Sequence, residues 1–241
     1  MSRDFHLKQF SIRQQRAAMK VGTDAIILGS WLATLGLNPQ SFLDVGAGTG
    51  IIALMLAQRY PEAYGIALDL EPNAILDARD NISASPFASR LEAVQADFLA
   101  WTSEPYDLIV SNPPYFEADG IRSPVQKRQM ARHEMRGGLN LRSLMQHAST
   151  LLTPSGALAL VTPWDRESDL RLYGAEYLLR PDLLVRVFAS KDKPIRLLSL
   201  WRRIMQSTPY QVCRYDTLVL RDEASKETPE FRILTKDYLL D

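Results

Sequence analysis

Phe42-Leu43-Asp44-Val45-Gly46-Ala47-Gly48-Thr49-Gly50-Ile51 is the stretch that decides the fold. An apolar, strand-like run enters a loop with three glycines, and a helical pattern follows. Glycine lets a backbone turn tightly and approach a ligand closely, and the first turn of the next helix presents amides with no internal partner. A cofactor with an adenosine or charged portion is expected over such a loop. The spacing is G-x-G-x-G, not the G-x-G-x-x-G of dinucleotide sites, and the acid just upstream, Asp44, suits a ligand carrying an amino group and not a pyrophosphate.

Outward from this loop, apolar runs alternate with helical patterns. Strands are predicted over 41–45, 64–68, 91–95, 107–111 and 156–162, with helices over 50–59, 72–83 and 141–151. Before them, 23–35 has helical spacing, with Thr23 or Asp24 as a candidate cap. After them, 182–189 and 195–202 read as a hairpin closing the sheet edge, followed by a further strand and a short helix near Thr228-Pro229. The fold class is α/β: a doubly wound, mostly parallel seven-stranded sheet with a C-terminal antiparallel hairpin. Residues 1–241 read as one domain, taken as a monomer, with 1–38 as an N-terminal helical lead-in.

Composition narrows the function classes. The 28 basic and 28 acidic residues cancel, so the whole molecule exerts no net pull on nucleic acid, although a local basic face can still meet a phosphate backbone. A lone cysteine, Cys213, allows neither an internal disulfide nor a cysteine zinc site, and His6, His133 and His147 lack metal-ligand spacing, so no metal is assigned. No apolar run reaches the ~20 residues of a membrane span, and the start of the chain does not read as a signal peptide. A cytoplasmic location is expected.

A second motif, Asn112-Pro113-Pro114-Tyr115, leaves the apolar run Asp107–Ser111 at the end where open α/β sheets place their sites. The exocyclic nitrogen of adenine, like an amide nitrogen, is a weak nucleophile because its lone pair is delocalised. Making it attack requires acceptors for both amino hydrogens as positive charge develops. The Asn112 side-chain oxygen can provide one and the Pro113 carbonyl the other, on a backbone fixed by two prolines. Tyr115 offers a flat face for stacking an extruded base or a planar amide.

The glycine loop resembles the first motif of class I methyltransferases, whose cofactor is S-adenosylmethionine. That resemblance implies cofactor binding by Asp44, Gly46, Gly48 and Gly50, with Asp97 taking the adenine amino group and Phe98 covering the ring. The acid that usually ends the second strand and holds the ribose is replaced by Ala67. Asp69 or Glu71 stands in for it, and either can equally cap the helix that starts at Pro72. The tetrapeptide resembles that of enzymes methylating amino or amide nitrogens. The stretch from Arg16 through Lys20-Val21-Gly22-Thr23-Asp24 to Gly29 resembles the bacterial enzymes that methylate N6 of an adenine next to the anticodon of valine tRNA. In that reading Lys20, Gly22 and Thr23 border the cofactor and target pocket. Asn112, Pro113 and Tyr115 are catalytic, Tyr115 also stacks the base, and Arg128 and Arg132 lie in a basic run, 122–136, that contacts RNA phosphates. Lys191, Lys193, Arg196, Arg202 and Arg203 would extend this basic face. The alternatives are a methyltransferase acting on a protein glutamine, such as that of a release factor, another rRNA or DNA amino-group methyltransferase, or an idle RNA-binding scaffold. About forty residues precede the cofactor strand, where the glutamine enzymes usually carry a helical domain.

Overall fold

The computed structural model describes residues 4–113, 139–192, 194–205 and 211–240. A small antiparallel ribbon of β1 (Phe5–His6) and β2 (Ser11–Ile12) precedes α1 (Thr23–Thr34). The core then alternates through β3 (Ser41–Val45), α2 (Ile51–Arg59), β4 (Tyr64–Asp69), α3 (Pro72–Ser83), β5 (Leu91–Gln95), β6 (Tyr106–Ser111), α4 (Leu141–Leu151) and β7 (Leu152–Pro163). It finishes with α5 (Glu167–Glu176), β8 (Leu179–Phe188), β9 (Pro194–Arg203), β10 (Arg214–Val219) and α6 (Pro229–Thr235).

The main sheet has the order β10-β8-β9-β7-β6-β3-β4-β5. From β7 through β6, β3 and β4 to β5 every pairing is parallel. Among the described residues the sheet therefore has eight strands, not the expected seven. The predicted hairpin is present as β8 and β9, but it does not close the edge. β9 is inserted antiparallel between β7 and β8, and β10 pairs parallel with β8 from Arg214↔Leu183 to Val219↔Phe188. This covers backbone groups that β8 would otherwise leave unpaired at the edge.

Both faces of the central strands are covered, which explains why they read as continuous apolar runs. On β6, Leu108 and Val110 face one core with Ala157, Ala159 and Val161 of β7 and residues of α1, α2 and α3. Ile109, Leu158 and Leu160 face the other with Leu144, Met145 and Ala148 of α4 and Leu170 of α5. In α2 every residue from Ile51 to Ala57 is buried. Close approach to α1 depends on Gly29, where a Cβ would stand 2.7 Å from Met55 Sδ.

The lead-in contains α1 and, ahead of it, the β1–β2 ribbon. α1 begins after Gly22 with no side-chain cap, so neither Thr23 nor Asp24 fills that role. Asp24 is held elsewhere: Arg196 of β9 donates to its carboxylate at 2.8 Å. Thr228 does cap α6, accepting from Phe231 N at 3.2 Å, with Pro229 in the first turn. The C-terminal segment then returns to α2, where the buried Tyr238 hydroxyl donates to Met55 O at 3.1 Å.

Gly65 in β4 marks a place where a side chain has no room. A Cβ there would enter the Phe42 ring and stand 2.7 Å from Leu91 Cδ2. Gly65→Ala is expected to lower stability by about 1–3 kcal/mol, read from the midpoint of urea unfolding at unchanged slope.

Candidate active site

The glycine loop closes on backbone geometry that side chains resist. Gly46, Gly48 and Gly50 have φ of +70, +56 and +80°. The amides of Gly46 and Ala47 both donate to Leu68 O, at 2.8 and 3.0 Å, and Gly50 N donates to Ala47 O at 2.8 Å. A Cβ on Gly50 would be 3.3 Å from that of Ala78, so the loop sits directly on α3. A Cβ on Gly46 or Gly48 would meet nothing within 4 Å. The space above these two glycines is open to a ligand.

Asp44 lies beneath the loop and is 1% exposed. One carboxylate oxygen accepts from Ala53 N at 3.0 Å, and the other is buried without a partner. Burial raises its pKa from 3.8 to about 7, helped by the charge of Asp69 and opposed by the Ala53 hydrogen bond. Asp69 is pushed up as well, chiefly by burial. Among the described residues neither carboxylate has a cationic partner. The crevice is therefore built for positive charge.

The structure places Ala67 inside β4 and not at its end. β4 runs beyond the predicted boundary to Asp69, because its pairing with β5 continues to Asp69↔Gln95. Ala67 is fully buried mid-strand between Asp44 of β3 and Ala93 of β5. The acid at the carboxyl end of the strand is Asp69. Its two oxygens accept from Gly48 N at 2.8 Å and Glu71 N at 2.9 Å, which ties the glycine loop to β4. Each oxygen keeps further acceptor capacity. Glu71 is the cap of α3, accepting from Asn73 N at 3.1 Å.

Asp97 is exposed and caps the short turn Phe98–Ala100 by accepting from Leu99 N at 2.9 Å. The Phe98 ring is 4% exposed and lies edge-on to His147 in the α4 core, with centroids 4.9 Å apart. It packs within the protein and does not form an open stacking face.

At the exit of β6, Ser111 Oγ donates to Val45 O at 2.8 Å and locks β6 to β3. The register Val45↔Ser111 and Val45↔Leu68 then sets Asn112, Gly46 and Asp69 side by side, with Asp97 beyond β5. At the usual strand spacing this row spans about 14 Å, at the switch point where ligands lie in open α/β sheets. Asn112 is partly buried and Pro113 buried. Pro114, Tyr115, Arg128, Arg132 and the rest of the basic run lie outside the described residues.

Two residues to which sequence reading gave no role organise the rim. Asp77 and Asn81, each 1% exposed, lie one turn apart on the buried side of α3. Asp77 Oδ2 accepts from Arg16 N and Ala17 N, both at 2.8 Å. Asn81 accepts from Arg13 N at 2.8 Å and donates to Arg13 O and Thr49 O, both at 2.9 Å. The N-terminal segment is thus fastened to α3, and through Thr49 to the glycine loop. The detectable signal was a polar pair at i,i+4 inside an apolar helical stripe. Lys20 closes this segment on itself, donating to Gln14 O and Ala17 O, and exposed Gly22 and Thr23 follow at the start of α1.

The hairpin basic residues do not form one face. Arg196 pairs with Asp24, Lys191 lies 3.5 Å from Glu223, and Arg202 and Arg203 bond the carbonyls of Ser155 and Leu152 at the opposite edge of the sheet. Lys193 lies outside the described residues. Among the described residues no three His, Cys, Asp or Glu side chains gather as a metal site, and no helix is long and apolar enough to cross a membrane.

An anionic crevice would repel the pyrophosphate of a dinucleotide. It fits S-adenosylmethionine, which carries a sulfonium and an ammonium, and with this strand order it defines a class I methyltransferase. Solved structures share the architecture: a predicted O-methyltransferase from Agrobacterium tumefaciens aligns with TM-score 0.64 at 17% identity, over 89% of this chain and 96% of that one. The ribosomal protein L11 methylase from Lactobacillus delbrueckii subsp. bulgaricus aligns with TM-score 0.55 at 16% identity, over 83% and 100%. Residues 19–170 match the model of the methyltransferase small domain. A tRNA1(Val) (adenine(37)-N6)-methyltransferase of Porphyromonas gingivalis is 43% identical across 97% of this chain and 94% of its own, and one of Tolumonas auensis is 40% identical across 98% and 96%. The chain belongs to the methyltransferase small domain family, together with these tRNA1(Val) enzymes.

Two outcomes are expected from the site. Between pH 3.8 and about 7 the folded, ligand-free chain holds a proton at Asp44 that the unfolded chain has released, so raising the pH through this window lowers stability. A cationic ligand expels that proton, so affinity for S-adenosylmethionine should fall as the pH drops below 7, with proton release detectable by calorimetry. Asp44→Asn should flatten both pH dependences. Asn81→Ala removes three hydrogen bonds, one buried and two part-buried, and is expected to weaken S-adenosylmethionine binding about tenfold or more while also lowering stability by about 1–3 kcal/mol. Titration calorimetry and urea unfolding read the two effects.

Proposed function

We propose that the protein transfers a methyl group from S-adenosylmethionine to N6 of an adenine in tRNA, the anticodon-adjacent adenine of valine tRNA, acting as a single-domain monomer in the cytoplasm. The observation that carries this reading is the position of Asn112 and Pro113 at the exit of β6, immediately beside the glycine loop. The names of the relatives, which match nearly the whole chain, support tRNA as the substrate.

When bound, S-adenosylmethionine supplies an electrophilic methyl group on a positively charged sulfur. Gly46 and Gly48 admit it against the backbone, and Gly50 sets the start of α2. Asp44 and Asp69 favour its positive charge, with Asp69 accepting from the ribose hydroxyls and Asp97 from the adenine amino group. Phe98 anchors the turn that carries Asp97, and Lys20, Gly22 and Thr23 form the rim. Asn112 Oδ1 and the Pro113 carbonyl accept the two hydrogens of the target amino group, hold its nitrogen toward the methyl and stabilise the charge it acquires. The proton leaves after transfer, so no strong base is required. Tyr115 stacks the flipped base, and Arg128 and Arg132 contact phosphates.

Labelled methyl groups should enter tRNA, and not ribosomal RNA, DNA or release factor, when all four are offered with the protein. Label entering only release factor would establish the glutamine alternative instead. Asn112→Ala is expected to lower kcat by about 100- to 1,000-fold with little change in S-adenosylmethionine binding, measured by single-turnover transfer and calorimetry. A fully active Asn112→Ala enzyme would remove the role given to that amide.

A further inference from the structure

At the edge of the sheet opposite the crevice, three arginines converge on one cavity. β8 and β9 pair there with Arg180↔Arg202 and Leu179↔Arg203 in register. The cavity has a volume of about 220 Å³ and is lined by Pro154, Ser155, Gly156, Arg180, Arg202 and Arg203. Two of the arginines are pinned by backbone: Arg202 Nη1 donates to Ser155 O and Arg203 Nη1 to Leu152 O, each at 3.0 Å. Arg180 donates from Nη2 to Gln211 Oε1 at 2.8 Å, while its Nε and Nη1 are shielded from solvent and have no acceptor.

Like charges directly across two strands repel, and charged donors removed from water without acceptors are strongly unfavourable. Asp182 is 3.6 Å from both Arg202 and Arg214, and among the described residues neither Arg180 nor Arg203 has an ion pair, so the cluster keeps a net positive charge.

We propose that this cavity binds a phosphate group, and that the phosphate belongs to the RNA backbone. Arginine is suited to the task because its guanidinium stays charged and presents several donors in fixed geometry to phosphate oxygens. Arg202 is level with Ala157 and so with Leu108, four residues before Asn112, and lies two strands to the side. That places the backbone of Arg202 about 16 Å from Asn112. A structured RNA with its reacting base at Asn112 extends far enough to reach the cavity. The choice of RNA as the source of the phosphate rests on the proposed function; the anion chemistry does not.

The test uses Arg180→Gln and Ser155→Glu in the full chain. The second leaves every arginine in place and sets a carboxylate at the exposed mouth of the cavity. tRNA binding is measured across a salt series without methyl transfer, and inorganic phosphate is titrated separately while thermal unfolding is followed. Each variant is expected to weaken tRNA binding several-fold and to reduce the slope of log affinity against log salt by about one, with kcat at saturating tRNA unchanged. Unchanged tRNA binding, together with a phosphate-induced rise in Tm that either variant abolishes, would keep the anion site and assign it free phosphate. Unchanged tRNA binding with no phosphate effect in the wild-type chain would overturn the proposal. Loss of methyl transfer to tRNA would bear on the proposed function alone, because the phosphate titration does not depend on it.

Discussion

Three positions between β3 and α2 must hold a left-handed backbone, and the carboxyl edge of the sheet is arranged around that requirement. The loop is kept in this shape by hydrogen bonds from three directions: the Leu68 carbonyl, the Asp69 carboxylate and the Asn81 side chain. Each comes from a different part of the β4–α3 unit. The same unit carries the N-terminal segment through Asp77 and Asn81. Loop, Asp69 and rim therefore share one rigid support, so a disturbance of α3 would reach the crevice without touching a ligand.

Much of this was legible in the chain. β3, α3 and α4 have the predicted bounds, because their ends are marked locally: the glycine run after Val45, Pro72 in a first turn, and the Asn140 capping box. Elements defined by distant partners were harder to see. The last residue of β4 is set by β5, so reading the apolar run alone made Asp69 look misplaced and Ala67 look like a defect. α5 was missed because it buries only Leu170 and Gly174 and shows little apolar stripe. The hairpin was visible, but whether β9 or β8 would lie next to β7 depends on packing against the sheet, and no local signal encodes that choice.

The site divides in the same way. The glycines were readable because a left-handed backbone favours that residue, and the placing of Asn112 and Pro113 because they directly follow an apolar strand. Phe98 was misread, since an aromatic residue after a loop acid serves equally well to fill a core, and here it lies against His147. Formal neutrality also concealed a polar arrangement. Asp44, Asp69 and Asp97 gather at one edge of the sheet and Arg180, Arg202 and Arg203 at the other. Equal totals of acid and base thus coexist with a field that has direction, favourable to a cationic cofactor at one end and to phosphate at the other.

The first and last stretches of the chain meet on one side of α2. Leu7 and Leu239 pair as a bridge, Lys8 N donates to Tyr238 O at 2.8 Å, and Tyr238 reaches Met55 beneath them. Across the described residues the path of the polypeptide is therefore nearly a closed ring, which returns on itself at the end of α2 away from the glycine loop. Which element comes first is then an accident of where that ring is cut: a short linker could join the two stretches and the chain be opened at an exposed turn elsewhere, leaving sheet, glycine loop and Asn112 in the same places.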